Sequence, residues 1–319
     1  VSETMTVAFI VCGVQLHIAL VAIKSVIAYS TSPLNLIIVV EEQSEAQLKE
    51  EVSSWPAIIK ERVHVQLKPV WRPSNGDSTF AECAAQQLYF PSMLPDVDAL
   101  VYVSTETVFL HPVEDFWRMF FSMNDQQIVG AAPGLETIAS SLYLQISGRP
   151  FVEPFGVNSD VLLMNLTRMR TFGLEHRLAE ITQEHENFTV NAVQDALNIL
   201  LARHPEAIFT FTCRWNYRAD HCYKDALCTD GPVAVVHGSY DTFMYSSPAF
   251  VALHKTMRQY ALGQSLLRGF IDPLKHALAI QAWDGCHVEF VRQLDHWGLS
   301  AHRVDVVSNR TSPLHQPAN

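Results

Sequence analysis

The residues best suited to chemistry gather at the end of one apolar run. Ala99-Leu-Val-Tyr-Val-Ser-Thr-Glu106 starts as strand-forming residues and stops at two hydroxyls and a carboxylate. A continuous Val/Leu/Tyr run reads as a strand buried on both faces. Ligands of open α/β sheets lie outside the carboxyl ends of such strands, so Ser104 and Glu106 sit where the charged end of a nucleotide is expected. Val233-Ala-Val-Val-His237 is a second buried run, ending on an imidazole and followed by Gly238. On their own, Glu106 reads more readily as a solvated strand end than as a metal ligand, and His237, one of fourteen histidines, as a structural residue. Gln194 and Asp195, on a helix, offer an amide and a carboxylate to a sugar, although Asp195 could equally cap or pair within the fold. Trp215-Asn216-Tyr217 could wall an acceptor site, because sugars stack on aromatic faces; buried aromatics are the commoner case. Asn158 fits a turn, and Asp160 belongs on a turn or the surface unless it faces the cleft as a replacement carboxylate. His254 and His287 read as packing or surface residues. The chain has no nucleophile elbow, phosphate-binding Gly loop or zincin helix.

Alternating strands and helices must position these groups. Thr6–Cys12 is an apolar strand that Gly13 ends with a tight turn. Leu16, Leu20, Ile23 and Ile27 recur at helical spacing until Ser32-Pro33, and Leu36–Val40 is the next strand. A charged helix over Glu45–Ser54 and a half-buried strand over Arg62–Leu67 follow. Pro69, Pro73 and Asn75-Gly76 make a loop. A helix over Phe80–Leu94 leads into the central strand at Ala99. Ile128–Ala132 is a short strand, and Pro133–Pro154, holding Tyr143 and Gly148-Arg149-Pro150, is irregular. Phe155–Asn165 is a turn entering another buried strand. Helices over Leu174–His185 and Val190–Arg203 precede a strand at Ile208–Thr212, and Val233–His237 closes the sheet region. Parallel neighbours need crossover helices, so this order predicts a mostly parallel, Rossmann-like sheet flanked by helices. From Pro248 onward the spacing is helical. The expected division is a nucleotide-fold domain over 1–245, a helical extension over 246–307 and a disordered tail over 308–319.

Bulk composition narrows the partners. A chain of 319 residues with 48% hydrophobic content can bury a large core. Net charge is −11 and no basic cluster is present, which argues against a nucleic acid. The longest apolar stretch, Val7 to Tyr29, is broken by Gln15, His17 and Lys24, so it does not read as a membrane span. Residue 1 is Val, so any signal or membrane anchor is expected to have preceded it. Of six cysteines, Cys213, Cys222 and Cys228 share one loop. A local disulfide there fits better than zinc, because the spacing is not that of a CxxC site, and it implies an oxidising compartment. Sequons at Asn165, Asn187 and Asn309 agree with the secretory pathway.

The central strand, with Leu94-Pro-Asp-Val-Asp before it and Phe109-Leu-His-Pro-Val-Glu-Asp-Phe-Trp117 after it, resembles the glucoside xylosyltransferases of glycosyltransferase family 8. The likeness runs from about Val7 to Tyr260. It includes Ala8-Phe-Ile-Val-Cys-Gly13, Cys83-Ala-Ala-Gln-Gln-Leu-Tyr-Phe-Pro91, Gly156-Val-Asn-Ser159, Met164-Asn-Leu-Thr-Arg-Met169, Gln194-Asp195, Leu197-Asn198, Cys213-Arg-Trp-Asn-Tyr-Arg218, Asp220-His-Cys222 and His237-Gly238. The resemblance implies a GT-A fold, UDP-xylose as donor, Mn²⁺, and retention at the anomeric carbon. It also implies O-linked glucose on epidermal growth factor-like repeats as acceptor, and a Golgi or endoplasmic reticulum lumen as location. By the same likeness Cys12, Gly13, Gln87, Ser104, Thr105, Asn158 and Gly238 line the donor site. Ser104, Glu106 and His237 hold the metal, and Gln194 and Asp195 stand near the reacting sugar.

The chain departs from the family at four places. The metal-binding Asp-Thr-Asp is Ser104-Thr105-Glu106, the helix-start Arg is Gln87, the Asp before Gln194 is Val193, and the Gly after Val-Asn-Ser is Asp160. Each removes a contact or inserts a charge, at about 1.5 to 3 kcal/mol for a lost hydrogen bond to a charged group. Two functions therefore follow: an active UDP-sugar transferase with a weakened metal site, or a family 8 pseudoenzyme kept as a glycan- or protein-binding module.

Overall fold

β1 (Met5–Val11) is buried along its whole length, and its alternation sets the two faces of the sheet. Val7, Phe9 and Val11 join one apolar cluster, whereas Ala8 and Ile10 join the other. The computed structural model describes residues 4–13, 16–71, 83–134, 150–184, 192–223, 228 and 230–310. The expected loop at Pro73 and Asn75-Gly76, most of the irregular stretch before Pro154, the Asn187 sequon and the tail from 311 lie outside them.

After β1 come α1 (Leu16–Ala28), β2 (Leu34–Val40), α2 (Glu42–Ser54), α3 (Ala57–Lys60) and β3 (Val63–Pro69). Next are a 3-10 helix over Cys83–Tyr89, α4 (Phe90–Met93), β4 (Ala99–Val103), β5 (Thr107–Phe109) and α5 (Val113–Trp117). β6 (Val129–Pro133), β7 (Val157–Asn165), α6 (Leu166–Phe172), α7 (Leu174–Glu184), α8 (Ala192–Arg203), β8 (Ile208–Thr210), β9 (Tyr217–Arg218) and β10 (Val235–His237) follow. α9 (Pro248–Gln259), α10 (Asp272–Ala279) and α11 (Gly285–Val307) complete the described chain.

The main sheet has the order β3-β2-β1-β4-β7-β6-β8. Its first four strands are parallel, as the crossover helices require, and β7 runs antiparallel between β4 and β6. Helices cover both faces: α1, α9 and α11 pack in the cluster with Val7 and Phe9, and α6, α7 and α8 in the one with Ala8 and Ile10. Asp284 caps α11 by accepting from the His287 amide at 2.7 Å. Among the described residues no helix is long and apolar enough to cross a membrane.

Two expectations change. The segment read as a helix over Phe80–Leu94 is a 3-10 helix and one α turn. Gln86 braces it by donating to Trp71 O at 2.9 Å and accepting from Trp71 N at 2.6 Å, and Cys83 is disulfide-bonded to Cys12. β10 does not close the main sheet. It joins a separate sheet of order β5-β10-β9, antiparallel to β5 and parallel to β9. The central run is cut at Val103, and its continuation enters this second sheet as β5.

All six cysteines are paired: Cys12–Cys83, Cys213–Cys228 and Cys222–Cys286. The expected local bridge is Cys213–Cys228, and the third cysteine of that loop reaches across to α11. Three disulfides fit an oxidising compartment.

Candidate functional site

The end of β4 places Ser104 against β7. The antiparallel register pairs Val103 with Val161, and the Ser104 amide donates to Asp160 O at 2.7 Å. Ser104 and Asp160 are therefore opposite one another, and side chains of opposite residues stand on the same face of a sheet. The Ser104 hydroxyl accepts from the Glu106 amide at 3.3 Å, and Thr107 Oγ1 donates to Ser104 O at 2.8 Å. These local bonds fold Ser104-Thr105-Glu106 into a turn, as Ser and Thr side chains commonly do. The turn delivers the chain to β5, where Thr107 pairs with His237 of β10. Glu106 is tied to the loop after β10, because its Oε1 accepts from the Tyr240 amide at 2.7 Å and its carbonyl accepts from Gly238 N at 3.0 Å. Burial pushes the Glu106 carboxyl up, the Tyr240 amide opposes that, and nearby Asp160 adds to it.

Below the turn a chain of amides fixes the imidazole. The Asp160 amide can only donate, and it donates to Asn158 Oδ1 at 3.0 Å. That settles which end of Asn158 is oxygen, so its Nδ2 donates to Gln194 Oε1 at 3.1 Å. Asn216 Nδ2 also donates to Asn158 Oδ1, at 2.7 Å, which leaves Asn216 Oδ1 as an acceptor facing His237 Nδ1 at 2.8 Å. His237 Nδ1 must then carry the proton, and in the neutral ring Nε2 presents its lone pair. His237 is 7% exposed, and burial, more than the opposing pull of Asp160, lowers its pKa below the ordinary histidine value. Its Nε2 makes no hydrogen bond among the described residues and lies 3.8 Å from Asp160 Oδ2. A second amide, Asn198, clasps β7 to α8: it accepts from Val157 N at 2.8 Å and donates to Val157 O and Gln194 O, each at 2.9 Å. That clasp brings the first turn of α8, with Gln194 and the buried Asp195, beside Asn158.

The remaining expected site residues fall differently. Cys12 is locked in its disulfide, and Gly13, at φ 62°, donates its amide to the Glu41 carboxylate. Thr105 lies in the turn. Gln87 is buried, and its Oε1 has no hydrogen-bond partner among the described residues. At Gly238 a Cβ would come within 2.8 Å of the Phe243 ring, so only glycine lets β10 end so close to that ring.

Trp215, Asn216 and Tyr217 are all buried and form no acceptor wall. Trp215 stacks on Phe116 with centroids 4.9 Å apart, and Asn216 instead orients His237. The alternation of that segment could have signalled burial, but the role of Asn216 depends on a partner 21 residues away.

Sequence reasoning also missed the approach of Asp160 to His237, the anchoring of Glu106 by Tyr240, and an edge-on aromatic series. In that series His17 and Tyr240 lie 6.0 Å apart, and Tyr240 and the exposed Tyr245 lie 6.1 Å apart.

Among the described residues only Cys213, His221 and Cys228 bring three ligand-type atoms within 4.8 Å of one another. Both sulfurs are in one disulfide, so neither is a thiolate, and the zinc alternative is closed. Asp160, Glu106 and His237 do not converge as tightly as that, with Glu106 held back by Tyr240.

No known-family model matches the chain. Glucoside xylosyltransferase 1 of Gallus gallus is 31% identical over 315 residues, which cover 92% of this chain and 72% of that protein. Glucoside xylosyltransferase 2 of Xenopus laevis is 31% identical over 292 residues, covering 86% and 69%. Glucoside xylosyltransferase 1 of Homo sapiens is 30% identical over 314 residues, covering 92% and 71%. Among solved structures, apo mouse xyloside xylosyltransferase 1 superposes with a TM-score of 0.58 at 18% identity, over 76% of this chain and 99% of that one. Galactosyltransferase LgtC, in complex with donor and acceptor sugar analogues, gives 0.58 at 19% identity, over 79% and 95%. Those two likenesses speak for the fold, which is the GT-A arrangement of a mostly parallel sheet between helices.

Proposed function

The chain belongs to the glucoside xylosyltransferase family of glycosyltransferase family 8, and from that premise we propose that it transfers xylose from UDP-xylose, with retention, to an O-linked glucose. The acceptor is a glucose on epidermal growth factor-like repeats of an extracellular glycoprotein. The location is the lumen of the endoplasmic reticulum or Golgi, which three disulfides support. Residues 1–245 form the transferase unit in this reading, and the helices of 246–307 buttress it.

One observation carries the reading: a buried imidazole with a single available lone pair faces a carboxylate, beside the end of the central strand. Those residues fit a divalent cation. Two donor atoms about 2.1 to 2.4 Å from one ion lie about 3 to 4 Å apart, and the Nε2 to Oδ2 separation is 3.8 Å. His237 and Glu106 would hold Mn²⁺, with the Ser104 hydroxyl beside them. When bound, the ion stabilises the charge that develops on UDP as the sugar leaves.

The chain's own groups do the rest. The amide series from Gln194 to Asn216 keeps the His237 ring oriented and its Nδ1 protonated. Gln194 and Asp195 offer polar contacts to the donor sugar from the first turn of α8. Gly238, whose missing side chain makes way for the Phe243 ring, and the turn at Thr105 border the diphosphate in this reading.

Calorimetric titration with UDP and UDP-xylose, with and without Mn²⁺, tests the proposal alongside transfer to a glucosylated repeat. Mn²⁺-dependent donor binding and transfer are expected. No heat at millimolar donor would leave only a binding shell.

A further inference from the structure

The family's first metal-binding carboxylate is absent from position 104, and a carboxylate stands at position 160 where the family has glycine. The two positions are not independent. Ser104 N donates to Asp160 O at 2.7 Å, at the end of the β4–β7 ladder, so the residues are direct cross-strand neighbours on one face. We infer that Asp160 is a metal ligand of this protein: the carboxylate missing from the end of β4 has moved one strand sideways, to β7, and holds the divalent cation with His237. The inference rests on the reading that this cleft takes a cation with its nucleotide, and it names a ligand which the family pattern does not contain.

An independent observation points the same way. His237 is buried to 7% exposure, its Nδ1 is committed to Asn216, and its Nε2 has no hydrogen bond among the described residues. A histidine buried merely to pair with an aspartate would donate Nε2–H to it at about 2.7 to 2.9 Å. Here the gap is 3.8 Å, beyond a hydrogen bond and within the spacing of two ligands on one ion. The tautomer agrees, because Nδ1 keeps the proton and Nε2 is left with a lone pair, as a metal-binding imidazole requires. Asp160 is well placed to serve, since its half-buried side chain brings Oδ2 within 3.8 Å of Nε2, and its own amide starts the bond series that orients the ring. Asp160 returns to the cleft the charge that Ser104 lacks; Glu106, tied to the Tyr240 amide, does not converge with Asp160 and His237 within 4.8 Å and would have to turn toward the ion to join them. Ser104, whose hydroxyl already accepts from the Glu106 amide, need not supply a ligand at all.

The test moves the carboxylate back. Mn²⁺ alone, and Mn²⁺ with UDP, are titrated into the intact chain, with the free ion followed by electron paramagnetic resonance. Four proteins are compared: the native chain, Asp160→Asn, Asp160→Gly, and Ser104→Asp combined with Asp160→Gly. Asn and Gly both keep the backbone amide that orients Asn158, and circular dichroism with a melting curve verifies each fold. The expected result is Mn²⁺ affinity at least tenfold weaker in Asp160→Asn and Asp160→Gly, with metal-free UDP binding unchanged. Recovery to within about threefold is expected in the double variant. Asp160 is not a ligand if the single variants bind Mn²⁺ within twofold of the native chain, or if the native chain takes up no Mn²⁺ at millimolar concentration. Should Asp160-dependent Mn²⁺ binding be present but xylose never be transferred, the substrate reading fails and the ligand assignment stands.

Discussion

Two clusters in this molecule bring a histidine together with metal-ligating groups, and they differ in what their atoms are free to do. Around His221, two sulfurs lie within 4.8 Å, yet they are bonded to each other. Around His237 the groups are looser, but Nε2 and the Asp160 carboxylate both keep lone pairs that no hydrogen bond uses with the other. Closeness alone thus selects the wrong cluster. Whether a site can take an ion depends on protonation state and on bonds already made, which the amide series at Asn158 and Asn216 decides for one histidine and a disulfide decides for the other.

The sharpest way to break this contrast is to change each histidine. His237→Gln is expected to lower Mn²⁺ affinity and xylose transfer at least a hundredfold, about 3 kcal/mol, whereas His221→Gln leaves Mn²⁺ affinity within twofold. Equal losses in metal titrations of the two variants would erase the distinction. The reverse experiment removes the bridge. Cys213→Ser with Cys228→Ser opens a loop of sequence separation 15, which costs about 3 kcal/mol of stability by chain entropy and lowers Tm by several degrees. Mn²⁺ affinity should not move; a metal dependence of that Tm would reinstate the cysteine cluster as a site.

A smaller effect is expected where the ring is oriented rather than replaced. Asn216→Ala frees the His237 tautomer, and metal affinity should fall about tenfold, the low end for a residue that positions a ligand. Its signature is weaker Mn²⁺ binding with metal-free UDP binding intact, and a uniform loss of both would make Asn216 only a packing residue.

The last comparison uses a third histidine, His254, which is buried against Phe243 at 5.4 Å and has no partner for its Nε2 among the described residues. Burial, with His17 and Arg258 nearby, lowers its pKa to about 4. The unfolded chain takes up this proton from about pH 6.5 downward while the folded chain refuses it, so stability falls as pH drops from about 6.5 toward 4. His254→Gln should remove about 1 kcal/mol of the loss between about pH 7 and 5.5. Urea midpoints at the two pH values measure it, and an unchanged difference assigns the acid sensitivity elsewhere.

How much of this was legible in the sequence depends on how far each feature's partners lie. β1, β2 and β4 are apolar runs with at most one polar residue near the start, and their burial is a property of each segment alone. The second sheet was not legible, because β5 spans Thr107–Phe109 and β9 only Tyr217–Arg218, too short for any periodicity, and each is a strand only through β10. At the site, Glu106 drew notice as a carboxylate at a strand end, whereas His237, one of fourteen histidines, stood out only through the family resemblance. Asp160 reads first as a turn or surface residue and second as a replacement carboxylate, and only the register with β4 places it opposite Ser104. Asn216 misled for the same reason: beside two aromatic residues it suggested a sugar platform, and its actual neighbour is His237.

The amide of Asp160 gives the arrangement an unusual tolerance. What Asn158, Asn216 and His237 receive from that position is a main-chain proton, and no substitution except proline withdraws it. Glycine and aspartate transmit the same instruction to the ring while differing by a whole negative charge at the cleft. A locus of this kind is free to exchange its cargo without disturbing the orientation code that runs through it.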